Sequence, residues 1–153
     1  MCQRKLAHPF LISNSPNSGP MHRNTFPLKE HLKSKSVIER LYAEGSSATA
    51  FPLRAVFLEQ DNDKQEPTAA ILISVAKRRF RHAVDRNLMK RRIREAYRTS
   101  KHCFIDKLQE NGKKMAVAII YIDTRQSGTE FLKRKMNRLL ETVLSKSGMT
   151  CED

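Results

Sequence analysis

From Ser36 the chain takes on a helical period. Ile38, Leu41 and Tyr42 form one apolar face, Ser36-Val-Ile-Glu39 has capping-box spacing, and Gly45 predicts the stop. Phe51 to Leu58 alternates loosely in β-forming residues, and Thr68 to Ala76 is a more continuous apolar run. Asp61-Asn62-Asp63 between them is turn chemistry, so the pattern predicts a hairpin. Arg81 to about Lys101 contains neither Gly nor Pro and reads as a long helix. A separate helical piece is predicted from Phe104 to Glu110, closed by Asn111-Gly112. Met115 to Ile122 predicts a buried strand. Ser127 to Glu130 repeats the capping-box spacing, and Leu132, Met136, Leu139, Leu140 and Val143 form the stripe of a last helix. The predicted order is α-β-β-α-β-α, an α+β single domain with one small sheet packed with helices.

The ends lack this period. Residues 1–24 predict a disordered extension, with three Pro and one Gly between His8 and Pro20. The folded domain is placed at residues 25–146 and a flexible tail at 147–153. Met21, just before the first patterned segment, is a candidate alternative start. The length of 153 residues suits one domain and argues against a two-domain enzyme. The longest apolar run, Met115 to Ile122, is far short of the roughly 20 residues a bilayer span needs, which argues against a membrane partner. His8 and Pro9 interrupt the one stretch resembling an export signal. Cys2, Cys103 and Cys151 are scattered and lack CxxC spacing, which fits a reduced cytoplasmic compartment.

Charge changes the picture most. The net charge is +13, and residues 77–101 hold 11 basic and 2 acidic residues. A polyanion, first of all nucleic acid, is the implied partner. On a helical wheel with Arg86 at zero, Met89, Ile93, Ala96 and Tyr97 span an arc from about 280° to 20°. Asn87, Lys90, Arg91, Arg94 and Arg98 span about 40° to 140°. One flank packs and the next faces a partner. The rival reading is a merely solvated face, but only Asp85 and Glu95 relieve the repulsion in this stretch. Arg78, Arg79 and Arg81 lie at the predicted helix N-terminus, where the dipole disfavours cations; a bound phosphate would reconcile the two.

The run Ile73-Ser-Val-Ala-Lys77-Arg-Arg-Phe-Arg-His-Ala83-Val84-Asp-Arg86-Asn87-Leu-Met-Lys90-Arg91-Arg-Ile-Arg94-Glu-Ala96-Tyr97-Arg resembles the signature of the bacterial ribonuclease P protein component. That family's pattern is S-V-x-K-[KR], then A-V-x-R-N-x-x-K-R-x-x-R-E-x-[FY], and the sequence matches its fixed positions. The resemblance covers about residues 24 to 146. It implies a fold like the second domain of ribosomal protein S5, with a left-handed β-α-β crossover around the basic helix, where general rules favour the right-handed one. It implies a monomeric protein, one per ribonuclease P RNA, that binds the catalytic RNA and the 5′ leader of precursor tRNA. Mg²⁺ would be held mainly by RNA and substrate, which perform the hydrolysis.

Residue by residue, the resemblance places RNA-subunit binding on Lys77, Arg78, Arg86, Asn87, Lys90, Arg91 and Arg94. It places leader binding on Tyr42, Phe51 and Phe57, where aromatics stack on bases. Plain core packing is the competing role for these three. Ile38 departs from members that carry a second aromatic there, which points to weaker stacking.

No residue is assigned a catalytic or metal-ligating role. Asp61 and Asp63 read as a turn, and His82 and His102 lie 20 residues apart, not a metal-ligand spacing. The alternative function is a ribosomal or architectural RNA-binding protein. A helix-turn-helix DNA reader is disfavoured because a strand precedes the basic helix.

Overall fold

The computed structural model describes residues 26–60 and 67–149. After a 3₁₀ turn at Leu28–Glu30 come α1 (Lys35–Glu44), β1 (Ser46–Ala50), β2 (Leu53–Gln60), β3 (Ala69–Val75), α2 (Ala83–Glu110), β4 (Lys114–Tyr121) and α3 (Thr129–Lys146). The strands form one sheet in the order β1-β2-β4-β3. β1 and β2, and β2 and β4, run antiparallel; β3 and β4 are parallel and joined by α2.

The predicted α+β class holds, with three corrections of detail. The expected hairpin between the second and third strands is absent, because β4 lies between them. The hairpin is instead β1–β2, turning at Phe51-Pro52. β1 escaped notice because Ser-Ser-Ala-Thr-Ala carries almost no apolar signal. The predicted break after Lys101 is also absent, since α2 runs unbroken for 28 residues. Finally, neither capping box forms. The N-cap of α1 falls two residues before Ser36, at Ser34, whose hydroxyl meets that of Ser36 at 3.0 Å. Ser127 Oγ lies 2.9 Å from the Tyr121 hydroxyl, and Gly128 takes the N-cap position of α3.

Side chains alternate across the sheet and divide the core. Toward α2 and α3 point Leu53, Ala55, Phe57, Ile71, Met115, Val117 and Ile119. These join Met89, Ile93, Tyr97, Phe104, Leu108, Leu132, Met136, Leu139 and Val143 in the main core. Toward α1 point Val56, Ala70, Ala116 and Ala118, a smaller cluster closed by Leu32, Leu41, Val37 and Ile38. The alanines bring α1 close. Gly45 is needed for that approach rather than for a left-handed backbone: its φ is −68°, but a Cβ there would meet the Leu41 carbonyl oxygen and sit 2.9 Å from Val56 Cγ1.

The tail boundary expected at 147 falls within an ordered turn. Gly148 adopts φ 75°, the Met149 N–H donates to the Leu144 carbonyl at 2.9 Å, and Met149 is buried. The extension at 1–24, Met21, the Asp61–Asp63 turn and the last four residues lie outside the described residues.

Candidate nucleic-acid interface

α2 is held by its apolar stripe, Met89, Ile93, Ala96 and Tyr97, continuing through Phe104 and Leu108, all buried. Its two polar flanks differ. On the α3 side, Gln126 Nε2 donates to Asp85 Oδ1 at 2.9 Å and Arg92 to the Ser127 carbonyl at 3.0 Å. On the other side Asn87, Arg91 and Arg94 are exposed and Lys90 is half-buried. Among the described residues, none of these four side chains forms a hydrogen bond or ion pair. The wheel thus grouped these four on one open flank.

Arg98 ends the flank and is engaged: Nε donates to Glu95 Oε2 at 2.9 Å. That bond holds the Glu95 carboxyl below its ordinary pKa and raises the Arg98 guanidinium.

Arg86, at the start of α2, is engaged as well, with its own backbone. Its guanidinium donates to the carbonyls of Phe80 at 2.8 Å and Arg81 at 3.0 Å, closing the loop before α2. Phe80 anchors that loop from below, buried with its ring centroid 5.9 Å from that of Tyr121. Lys77 and Arg78 stand exposed on it. His82 caps α2 without a side-chain bond, so the first-turn N–H groups receive no side-chain acceptor from it.

The three aromatic candidates separate. Tyr42 on α1 is 50% exposed and Phe51 at the β1–β2 turn 57%. Phe57 is in the main core, on the sheet face opposite α1, and is 5% exposed. On the face that carries α1, the sheet presents a register row that crosses all four strands, Thr49, Arg54, Ile120 and Ser74. The row beneath α1, Ser47, Val56, Ala118 and Leu72, is largely covered, whereas Thr49 and Arg54 are exposed. Sequence reading missed Arg54; its only signal is a charge between Leu53 and Ala55.

The N-terminal segment was also missed as part of the site. Leu32 N–H donates to the Ile71 carbonyl at 3.0 Å, so the segment lies along the outer edge of β3. Glu30 places both carboxylate oxygens 2.8 Å from Nζ of Lys101, which is 4% exposed. Phe26 stacks on His31 with centroids 4.3 Å apart and meets Tyr97 edge-on at 5.3 Å. Burial, and secondarily Glu30, push the Tyr97 phenol up. His31 is held below the ordinary imidazole range by burial, then by Arg94 and Lys33. Among the described residues no three His, Cys, Asp or Glu side chains converge.

Residues 26–144 match the family model described as Ribonuclease P. The chain is 34% identical over 111 residues to the ribonuclease P protein component of Porphyromonas gingivalis, covering 72% of this chain and 80% of that one. It is 29% identical over 132 residues to that of Chlorobium phaeobacteroides, covering 80% and 90%. The fold matches the Staphylococcus aureus RNase P protein with a TM-score of 0.56 at 22% identity, covering 74% of this chain and 94% of that one.

Proposed function

The chain belongs to the ribonuclease P protein family, a subunit of an endoribonuclease ribonucleoprotein in tRNA 5′ processing, and from that premise we propose how its surfaces divide the work. The flank of Asn87, Lys90, Arg91 and Arg94, with Lys77 and Arg78 on the preceding loop, binds the ribonuclease P RNA. Its cations neutralise phosphates, and Asn87 reaches a sugar or base edge. Arg86 supports this surface by fixing the loop.

The row Thr49, Arg54, Ile120 and Ser74, together with the exposed rings of Tyr42 and Phe51, takes the 5′ leader of precursor tRNA. A single strand suits this surface, with aromatics for bases and Arg54 for a phosphate. Mg²⁺ is held by the RNA and its substrate, where it supports hydrolysis. One protein serves one RNA in the cytoplasm, and the protein alone does not cleave. No helix among the described residues is long and apolar enough to cross a membrane.

The observation that carries the reading is the flank of α2 whose donors have no described protein partner, on a helix whose other flank is bonded to the protein at Asp85 and Arg92. The test is cleavage of precursor tRNA by the organism's ribonuclease P RNA at low Mg²⁺, with and without the protein, beside a protein-only reaction. Stimulation by the protein and no cleavage by protein alone are expected. No stimulation by a folded, RNA-binding protein would contradict the reading.

A further inference from the structure

We infer that the RNA-binding flank of α2 extends into the groove between the Phe26–Lys33 segment and the Arg91–Arg98 face, where Lys33 and His31 join Arg94 around one RNA phosphodiester. The identity of the polyanion rests on the ribonuclease P reading; the site itself rests on geometry. Two cavities, of about 150 and 410 Å³, meet at Phe26, His31 and Arg94. Lys33 lines the smaller one and Arg91 and Arg98 the larger. On the far side of His31 a third hollow adds Lys29.

The charge balance around His31 is one-sided. On its own segment stand Lys29, Lys33 and Glu30, and the Glu30 carboxylate is taken by Lys101. On α2 stand Arg91, Arg94, Arg98 and Glu95, and Glu95 is taken by Arg98. β3 contributes only Ile71, Leu72 and Ile73. Both nearby carboxylates are therefore engaged, while among the described residues the Arg94 guanidinium and the Lys33 ammonium have no anionic partner. The walls are fixed in advance, by the backbone bond of Leu32 to Ile71 and by the Phe26 ring against Tyr97. A concave, preorganised site that gathers cations suits a phosphate, and Phe26 supplies an apolar wall for the attached sugar or base.

Occupancy then has a sign in pH. Burial disfavours protonated His31 most, and Arg94 and Lys33 add to it; a phosphate between them would neutralise those two cations, so His31 is more readily protonated in the complex than in the free protein. Affinity should rise as pH falls through the usual imidazole range, by about threefold to tenfold between pH 7.5 and 5.5.

The experiment uses the full-length protein at constant ionic strength across that pH interval. One arm titrates ribonuclease P RNA; the other titrates precursor tRNA with a leader onto the assembled RNA–protein complex. His31→Gln and Arg94→Gln are run beside the unaltered protein, and the His31 imidazole is followed by NMR with and without a short single-stranded RNA. The expected result is an acid-strengthened affinity in one arm, which identifies the RNA bound. It should flatten in His31→Gln, with the His31 titration moving upward on RNA addition. The same pH dependence in the unaltered protein and His31→Gln in both arms, or an unmoved His31 titration, overturns the inference. No binding of either RNA by the unaltered protein would overturn the ribonuclease P reading along with it.

Discussion

The two flanks of α2 are built from similar residues and behave oppositely. The flank facing α3 uses its polar groups on the protein itself: Asp85 accepts from Gln126, and Arg92 donates to Ser127. The flank carrying Asn87, Lys90, Arg91 and Arg94 uses none of them within the described protein. Arg92 and Arg91 are sequence neighbours, yet one ties the helix to the β4–α3 loop and the other faces water. Charge composition alone does not distinguish an arginine that ties the helix down from one that faces water; the 100° step between neighbours does. Arg86 makes the same point, since it lies in the family motif and its donors close a loop.

The largest expected effect comes from the open flank. Replacing Lys90, Arg91 and Arg94 together by Ala should weaken binding of ribonuclease P RNA by roughly a thousandfold at low salt. Thermal stability should be unchanged or slightly raised, because the substitutions relieve like-charge repulsion. A calorimetric scan beside a binding titration separates the two. Glu30→Gln should act the other way. It leaves the Lys101 ammonium in a buried position without its carboxylate and should cost about 3 kcal/mol of stability, read by urea unfolding. Tyr42→Ala should weaken leader-bearing precursor tRNA by about 2 kcal/mol while leaving affinity for the RNA subunit unchanged. Arg92→Ala should cost about 1 kcal/mol of stability and leave RNA affinity intact, which would confirm that the packed flank is structural.

Much of this was legible in the chain. The stripes of α2 and α3 and the buried β4 follow from spacing, and the open flank follows from the wheel. Pairing was not legible: β2 and β3 flank a local turn signal, and nothing local shows that β4 inserts between them. Nor was the continuity of α2, because Lys101 interrupts the apolar stripe. The structure resolves this with a carboxylate 71 residues away in sequence. A charge at a stripe position is itself a signal that a partner must arrive from elsewhere. Phe57 shows the limit of strand alternation. The period fixes that it shares a face with Leu53 and Ala55, but not which face meets α1.

The most direct test of the account is the salt dependence of ribonuclease P RNA binding, compared between the Lys90/Arg91/Arg94 triple alanine variant and Arg92→Ala. If the whole interface engages about six phosphates, the unaltered protein should lose roughly a thousandfold in affinity between 50 and 200 mM salt. The triple variant should lose only about fortyfold, and Arg92→Ala should track the unaltered protein. Equal slopes for both variants would contradict the assignment of RNA binding to the open flank.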